Sequence, residues 1–289
     1  MIVGCGDVVR RALPVLTRRW RVFALVRRAD PDLAAAGVTQ IVGDLDHPSS
    51  LNRLRGIAQA VLHSAPPPGE GTGDPRTQRL LAVLGRSGSL PRSLVYIGTT
   101  GVYGDCAGAW VPETRPLAAR SPRARRRVVA ESLLRSAGRR GGIRVSILRA
   151  PGIYAADRLP LERLRRGDPV LRPEEDSYTN HIHAEDLARA CIVALARGRA
   201  NRAYNIGDHS DIRMGDWFDK LADAFGLPRP PRVTRAEAQT RLSPTLLSFM
   251  NESRRLVNTR MQRELKLTLH YPTVDDGIKS ALGNPPCSG

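Results

Sequence analysis

Lysine is nearly missing from this 289-residue chain: Lys220, Lys266 and Lys279 stand against 42 arginines among 45 basic residues. Aromatic residues make up only 4%, which is poor material for the stacking platforms of single-stranded nucleic-acid binders. No run approaches the ~20 apolar residues of a membrane span. No charged segment followed by an apolar one opens the chain as a secretory signal would. Four cysteines, Cys5, Cys106, Cys191 and Cys287, are scattered without a C-x-x-C pair. That spacing argues against a disulfide framework or a zinc site, so no metal is expected. Together these absences lead us to expect a cytoplasmic protein with reduced thiols and no membrane partner.

What is present is globular in composition, with 41% apolar and 25% charged residues. The length allows one large domain or two small ones. A net charge of +17 suits nucleic acid, anionic ligands or acidic membranes, and equally a general preference for Arg. The arginines are spread along the chain, for instance Arg18-Arg19, Arg139-Arg140, Arg165-Arg166 and Arg254-Arg255. No nucleic-acid module accompanies them, so nucleic-acid binding stays a minor alternative.

Short β-branched runs at 1–3, 21–26, 38–42, 60–63, 93–98, 144–148 and 203–206 alternate with amphipathic stretches such as 77–84 and 125–137. That alternation predicts an α/β protein with a doubly wound parallel sheet covered by helices. The Pro-rich segment 65–69 follows a strand and reads as a loop at its C-terminal end, and 228–231 reads as a connector. Beyond about residue 208 helical patterns dominate. We therefore expect a Rossmann-type domain over 1–152, rejoined by 178–207, and a small, mostly helical covering lobe from 153–177 and 208–289. The tail 283–289 is expected to be loose.

The first strand runs into Gly4-Cys5-Gly6-Asp7-Val8-Val9. Strand, G-x-G, then helix is the order in which a dinucleotide's pyrophosphate meets a helix N-terminus. Val9 stands where a third glycine is usual, and Pro14 falls inside the helix. The second strand ends in Arg27-Arg28. An NAD site places an acid there for the ribose 2′-OH, whereas Arg accommodates a 2′-phosphate. NADP is therefore the expected cofactor, with NAD the alternative. Asp44, followed by Leu45, ends the third strand where a carboxylate can accept from the adenine amine, and Ser64-Ala65 forms a small turn past which the nicotinamide ribose can run.

Gly4-Cys5-Gly6-Asp7-Val8, Gly43-Asp44-Leu45 and the segment from Leu94 to Gly104 follow one another along the chain. Leu148-Arg149-Ala150-Pro151-Gly152-Ile153-Tyr154, Asn180-His181-Ile182-His183-Ala184-Glu185-Asp186 and Tyr204-Asn205-Ile206-Gly207-Asp208 come next, with Arg263-Glu264-Leu265 beyond. In these motifs and their order the chain resembles the extended short-chain dehydrogenase/reductase superfamily of epimerase/dehydratase type. The resemblance implies a bound dinucleotide, a small lobe over the nicotinamide end and, in many relatives, pairing into a homodimer.

The superfamily's chemistry uses a Ser or Thr hydroxyl, a Tyr as general acid/base and a Lys four residues after it, on one helix face. Thr99 matches the hydroxyl. Counting back from Glu131, the acid usual on that helix, the Lys position is Arg127 and the Tyr position is Arg123. None of the six tyrosines has Lys four residues on. Guanidinium stays protonated and cannot shuttle a proton as Tyr does, although Arg127 can contact a ribose or phosphate. Thr100, Tyr103, Asp105, Tyr154 and His63 are candidate substitutes, each with a structural alternative of packing or capping. The cofactor residues expected are Gly4, Gly6, Asp7, Val8, Arg27, Arg28, Asp44, Leu45, Ser64, Ala65, Thr99, Arg127 and Pro151. Tyr103, Tyr154, Arg254 and Arg255 are candidates for a small-molecule substrate, which an arginine pair would suit if it is anionic. The expectation is an NADP-dependent oxidoreductase or epimerase-like enzyme; a non-catalytic dinucleotide-binding regulator is the alternative.

Overall fold

The computed structural model describes residues 1–86 and 90–283; Cys287 and nearly all of the expected loose tail lie outside the described residues. Seven strands form the central sheet: β1 Ile2–Val3, β2 Phe23–Val26, β3 Thr39–Val42, β4 Ala60–His63, β5 Ser93–Thr99, β6 Arg144–Ala150 and β7 Arg202–Asn205. All pair in parallel, in the order β7-β6-β5-β4-β1-β2-β3. Every predicted strand is present, with ends displaced by at most two residues. β1 is short, yet it is paired on both sides, Ile2 with Ala24 and Leu62, and Val3 with Leu25 and His63.

The near-continuous apolar runs are explained by burial on both faces. Val61, Leu94, Val95, Val145 and Ile147 are fully buried. On one face, helix α1 (Asp7–Arg19) and the later helix 184–197 pack Val9, Leu13, Leu16, Leu187 and Cys191 onto Ile2, Leu62 and Leu148. On the other, α2 (Pro75–Gly85) and α3 (Pro122–Gly141) pack Leu80, Leu84, Ala130 and Leu134 onto Val3, Leu94 and Ile147. This is a doubly wound Rossmann-type sheet. Its order reverses between β1 and β4, so the crevice for a ligand opens at the C-terminal ends of those strands.

α1 runs through Pro14 without a break. Pro14 is exposed, so the Arg10 carbonyl left without its intrahelical donor faces water rather than the core. Val9 is 1% exposed and sits inside the core cluster, taking the place of the close packing a glycine would permit.

The remaining elements gather at the C-terminal edge of the sheet. α4 (Met214–Ala224) and α5 (Val274–Gly283) enclose a second core of Tyr154, Leu164, Trp217, Phe218, Leu221 and Ile278. Two-residue strand pairs, among them Val170–Leu171 with Arg232–Val233, tie these segments together. Among the described residues no helix is long and apolar enough to cross a membrane.

Candidate functional site

The phosphate loop takes its shape from Gly4. Its φ of +88° lies in the left-handed region, and a Cβ there would stand 2.5 Å from the Ala65 backbone nitrogen. The turn after β4 is drawn this close because the Ser64 and Ala65 amides both donate to the Val3 carbonyl, at 2.8 and 3.0 Å, and the Ser64 hydroxyl donates to the Gly4 carbonyl. Gly6 is the opposite case: a Cβ there meets nothing within 4 Å. Gly6 is also the N-cap of α1, and no side chain caps the first amides of that helix. Uncapped amides above open space form a cradle for an anion.

Asp7 occupies the first helical position. Its carboxylate accepts from Arg11 Nε at 3.0 Å and from Arg158 Nη1 at 2.9 Å. Burial works against the charge, but the two guanidinium partners outweigh it and hold the carboxyl below its usual range. Arg11 continues to Asp157 at 2.7 Å. The chain thereby neutralises an acid beside a phosphate cradle.

Three clefts meet along this edge. The first, about 1030 Å³, is lined by Gly4, Gly6, Arg27, Arg28, Asp44 and Leu45, with Ser64 and Ala65 at its inner end. Arg27 and Arg28 are exposed at its rim and make no ion pair among the described residues. Asp30, in the same cleft, is ion-paired to Arg10 and caps the helix 31–35. The second, about 380 Å³, is lined by Gly6, Asp7, Val8, Thr99, Arg123, Arg127 and Pro151. The third, about 620 Å³, shares Thr99, Arg123 and Pro151 and continues to Thr100, His181, Trp217 and Arg254. Gly6 and Ser64 are common to the first two. The three clefts thus adjoin in succession through shared walls.

Within these clefts Thr99 accepts from the Gly101 amide through Oγ1 at 3.2 Å, which leaves the hydroxyl hydrogen for an external acceptor. Arg127 donates from Nη1 to the Tyr96 hydroxyl at 2.8 Å and to the Ile97 carbonyl at 3.0 Å. The 123–127 run is not a single solvated face: Arg126 is buried and Arg127 half-buried, while Arg125 is exposed.

Several candidates are drawn away from the clefts. The Tyr103 hydroxyl is 2.7 Å from both Asn205 Oδ1 and Arg149 Nη1, and the residue is 1% exposed. Tyr154 is buried in the second core and donates to the Thr273 carbonyl at 3.3 Å. Arg255 lies over the Tyr178 ring and donates to the Gly108 carbonyl. Asp105 accepts from the Ala107 and Ser253 amides. His63 is fully buried against Thr77 Oγ1 at 2.9 Å. Burial, aided by the Arg127 charge, lowers it to about 3, so it is neutral. Of the four substrate candidates only Arg254 lines the third cleft. His183 caps the helix 184–197, whereas His181 lines that cleft.

Sequence reasoning did not single out Arg76, which lines the first cleft and pairs with Asp46 and the Pro66 carbonyl. It also passed over Arg126 and Arg163, both in the third. A lone arginine in a chain with 42 of them carries no local signal.

A parallel sheet that reverses at a glycine turn, with an uncapped helix facing the turn, defines a dinucleotide-binding α/β protein. The family model described as "NAD dependent epimerase/dehydratase family" matches residues 13–207. The chain belongs to that family. The match begins after the phosphate loop, so Gly4 and Gly6 stand on geometry alone.

A functionally unknown conserved protein from Silicibacter pomeroyi superposes with a TM-score of 0.80 at 30% identity, covering 98% of this chain and 97% of that one. A dTDP-glucose 4,6-dehydratase from Streptomyces venezuelae, solved with NAD, gives 0.75 at 21% identity over 98% and 95%. Among curated proteins, a trifunctional UDP-glucose 4,6-dehydratase, epimerase and reductase of Arabidopsis thaliana is 25% identical over 147 residues. That stretch is 47% of this chain and 22% of the plant protein.

Proposed function

We propose that this protein is an NADP-using enzyme of oxidoreductase or epimerase type, acting on a small molecule in the cleft beyond Thr99. The observation that carries this is the succession of three adjoining clefts, the first two sharing Gly6 and Ser64 and the last two Thr99 and Pro151. NADP, when bound, supplies the hydride acceptor or donor. The chain's own residues hold it: the amides of α1 and the space above Gly6 take the pyrophosphate, Arg27 and Arg28 the 2′-phosphate, and Asp44 the adenine amine. Asp30 does not compete for the ribose hydroxyls, because Arg10 engages it. The solved dTDP-glucose 4,6-dehydratase supports a dinucleotide in this fold; the preference for NADP rests on Arg27 and Arg28.

Thr99 orients the substrate oxygen with its remaining hydroxyl hydrogen. Arg123 and Arg127 cannot exchange a proton, so in this reading Arg127 braces the ribose end of the cleft and Arg123 offers positive charge to substrate. A dinucleotide-binding regulator is the second reading, favoured by arginine at the position of the proton-transferring tyrosine. Product analysis across a panel of UDP-sugars and small hydroxy acids separates the two, with absorbance at 340 nm marking net hydride transfer; an epimerase returns its hydride and changes the substrate alone. We expect turnover, and a fall of about 10²-fold or more in Thr99→Ala, the scale of one positioned hydrogen-bonding group. Cofactor binding without turnover on any member of the panel selects the regulator.

A further inference from the structure

The cleft beyond Thr99 is walled by Arg123, Arg126, Arg163 and Arg254 against a single carboxylate, Glu252. Glu252 is already engaged, accepting from Arg254 Nη1 at 2.8 Å. Arg126 and Arg163 have no carboxylate partner among the described residues. Arg126 is 7% exposed and donates from Nη1 to the Gly71 carbonyl at 3.0 Å. Arg163 donates to the Pro169 carbonyl at 3.1 Å and lies 4.3 Å from the centre of the Phe218 ring. Burial pushes its guanidinium below the ordinary value.

The Nε atoms of Arg126, Arg163 and Arg254 are all buried without a hydrogen-bond partner among the described residues, and so is Nδ1 of His181 on the same wall. Burying a charged group without a counter-charge is costly. The chain pairs buried arginine fully where it needs to, as Arg149 with Glu131 shows. The Asp168 and Asp176 carboxylates act on Arg163 from a distance, but neither guanidinium is ion-paired among the described residues, and such a wall suits a charge that comes from outside.

We propose that this wall is an anion subsite and that the substrate carries two negative charges, as a phosphate or as two carboxylates, near its reacting carbon. Nearness follows from α3: Arg126 directly precedes Arg127 and lies three residues after Arg123, and both of those border the cleft of Thr99. Planar, forked donors suit either anion. The proposal rests on Thr99 as the reacting end, as argued above.

Calorimetric titration of the full chain with inorganic phosphate and, separately, malonate tests it, with and without saturating NADPH to fill the phosphate loop. We expect one of the two dianions to bind one-to-one with NADPH present, and the better probe distinguishes phosphate from dicarboxylate. Arg126→Ala and Arg163→Ala should each weaken it at least about tenfold, with NADPH affinity unchanged and Arg126→Lys recovering part of the loss. If an alanine variant fails to fold, Arg163→Gln carries the same expectation.

The subsite is overturned if neither dianion binds at about 10 mM, where even a millimolar site is filled. It is also overturned if folded variants bind as the wild type does. Failure of NADPH to bind, with variant-sensitive dianion binding intact, overturns the cofactor reading alone.

Discussion

Gly4→Ala should lower stability by about 2–4 kcal/mol and remove measurable dinucleotide binding. Two effects act together. The φ of +88° is strained for any residue with a Cβ, and that Cβ would meet the Ala65 backbone nitrogen at 2.5 Å and its Cα at 2.8 Å. The obstacle is main chain held by two amide bonds to the Val3 carbonyl, so it cannot swing aside as a side chain would. Relief requires the ends of β1 and β4 to separate at the sheet's reversal point, where the cofactor cradle is formed. Gly6→Ala separates folding from binding. Its Cβ enters open space, so denaturation should match the wild type while dinucleotide affinity falls at least about tenfold. Gly6→Ala with normal binding would show that the cradle faces something other than the pyrophosphate.

Glu131→Ala should cost about 3–5 kcal/mol, the scale for removing one partner of a buried ion pair. Glu131 and Arg149 are 1% and 2% exposed. Arg149 donates Nε to Oε1 at 3.0 Å and Nη2 to Oε2 at 2.7 Å. Its remaining Nη1 reaches the Tyr103 hydroxyl and the Glu113 carbonyl. Burial opposes the charge on Arg149, and Glu131 outweighs it, holding the guanidinium above its ordinary value.

The network continues from Tyr103 to Asn205, whose amide donates to the Val111 and Val257 carbonyls. It therefore ties α3, β6 and β7 to the lobe segments. At roughly 2–4 °C per kcal/mol for a chain somewhat smaller than this one, the midpoint should drop on the order of 10 °C. The double variant Glu131→Ala/Arg149→Leu should recover much of that loss, because no fully buried charge is left stranded; Arg135, 3.9 Å from Glu131 and partly exposed, loses only a weak pair. A fall in Glu131→Ala below about 1 kcal/mol would mean that water reaches Arg149.

The sheet was legible because parallel strands buried on both faces leave unbroken apolar runs, and β4 matches its predicted bounds. Glycines at a strand end located the turn. Counting from Glu131 located Arg123 and Arg127, and both border the cleft of Thr99.

What the sequence hid is pairing across long separations. Tyr103 looked available, but its partners Arg149 and Asn205 are 46 and 102 residues away. Tyr154 turns to Thr273, 119 residues on. Neither separation leaves a local pattern. The arginine run read as charge on one helix face, yet helical geometry carries neighbours to different surroundings: Arg125 to solvent, Arg126 to the third cleft and Arg127 to the Tyr96 hydroxyl.

The central claim is a dinucleotide cleft that favours a 2′-phosphate. Its most direct test is fluorescence titration of NADPH and NADH into the wild type and into Arg27→Ala/Arg28→Ala. The account predicts tighter binding of NADPH by the wild type, and a loss in the variant of at least about tenfold for NADPH with NADH little changed. Absence of binding by either nucleotide at millimolar concentration, or equal losses for both in the variant, would contradict it.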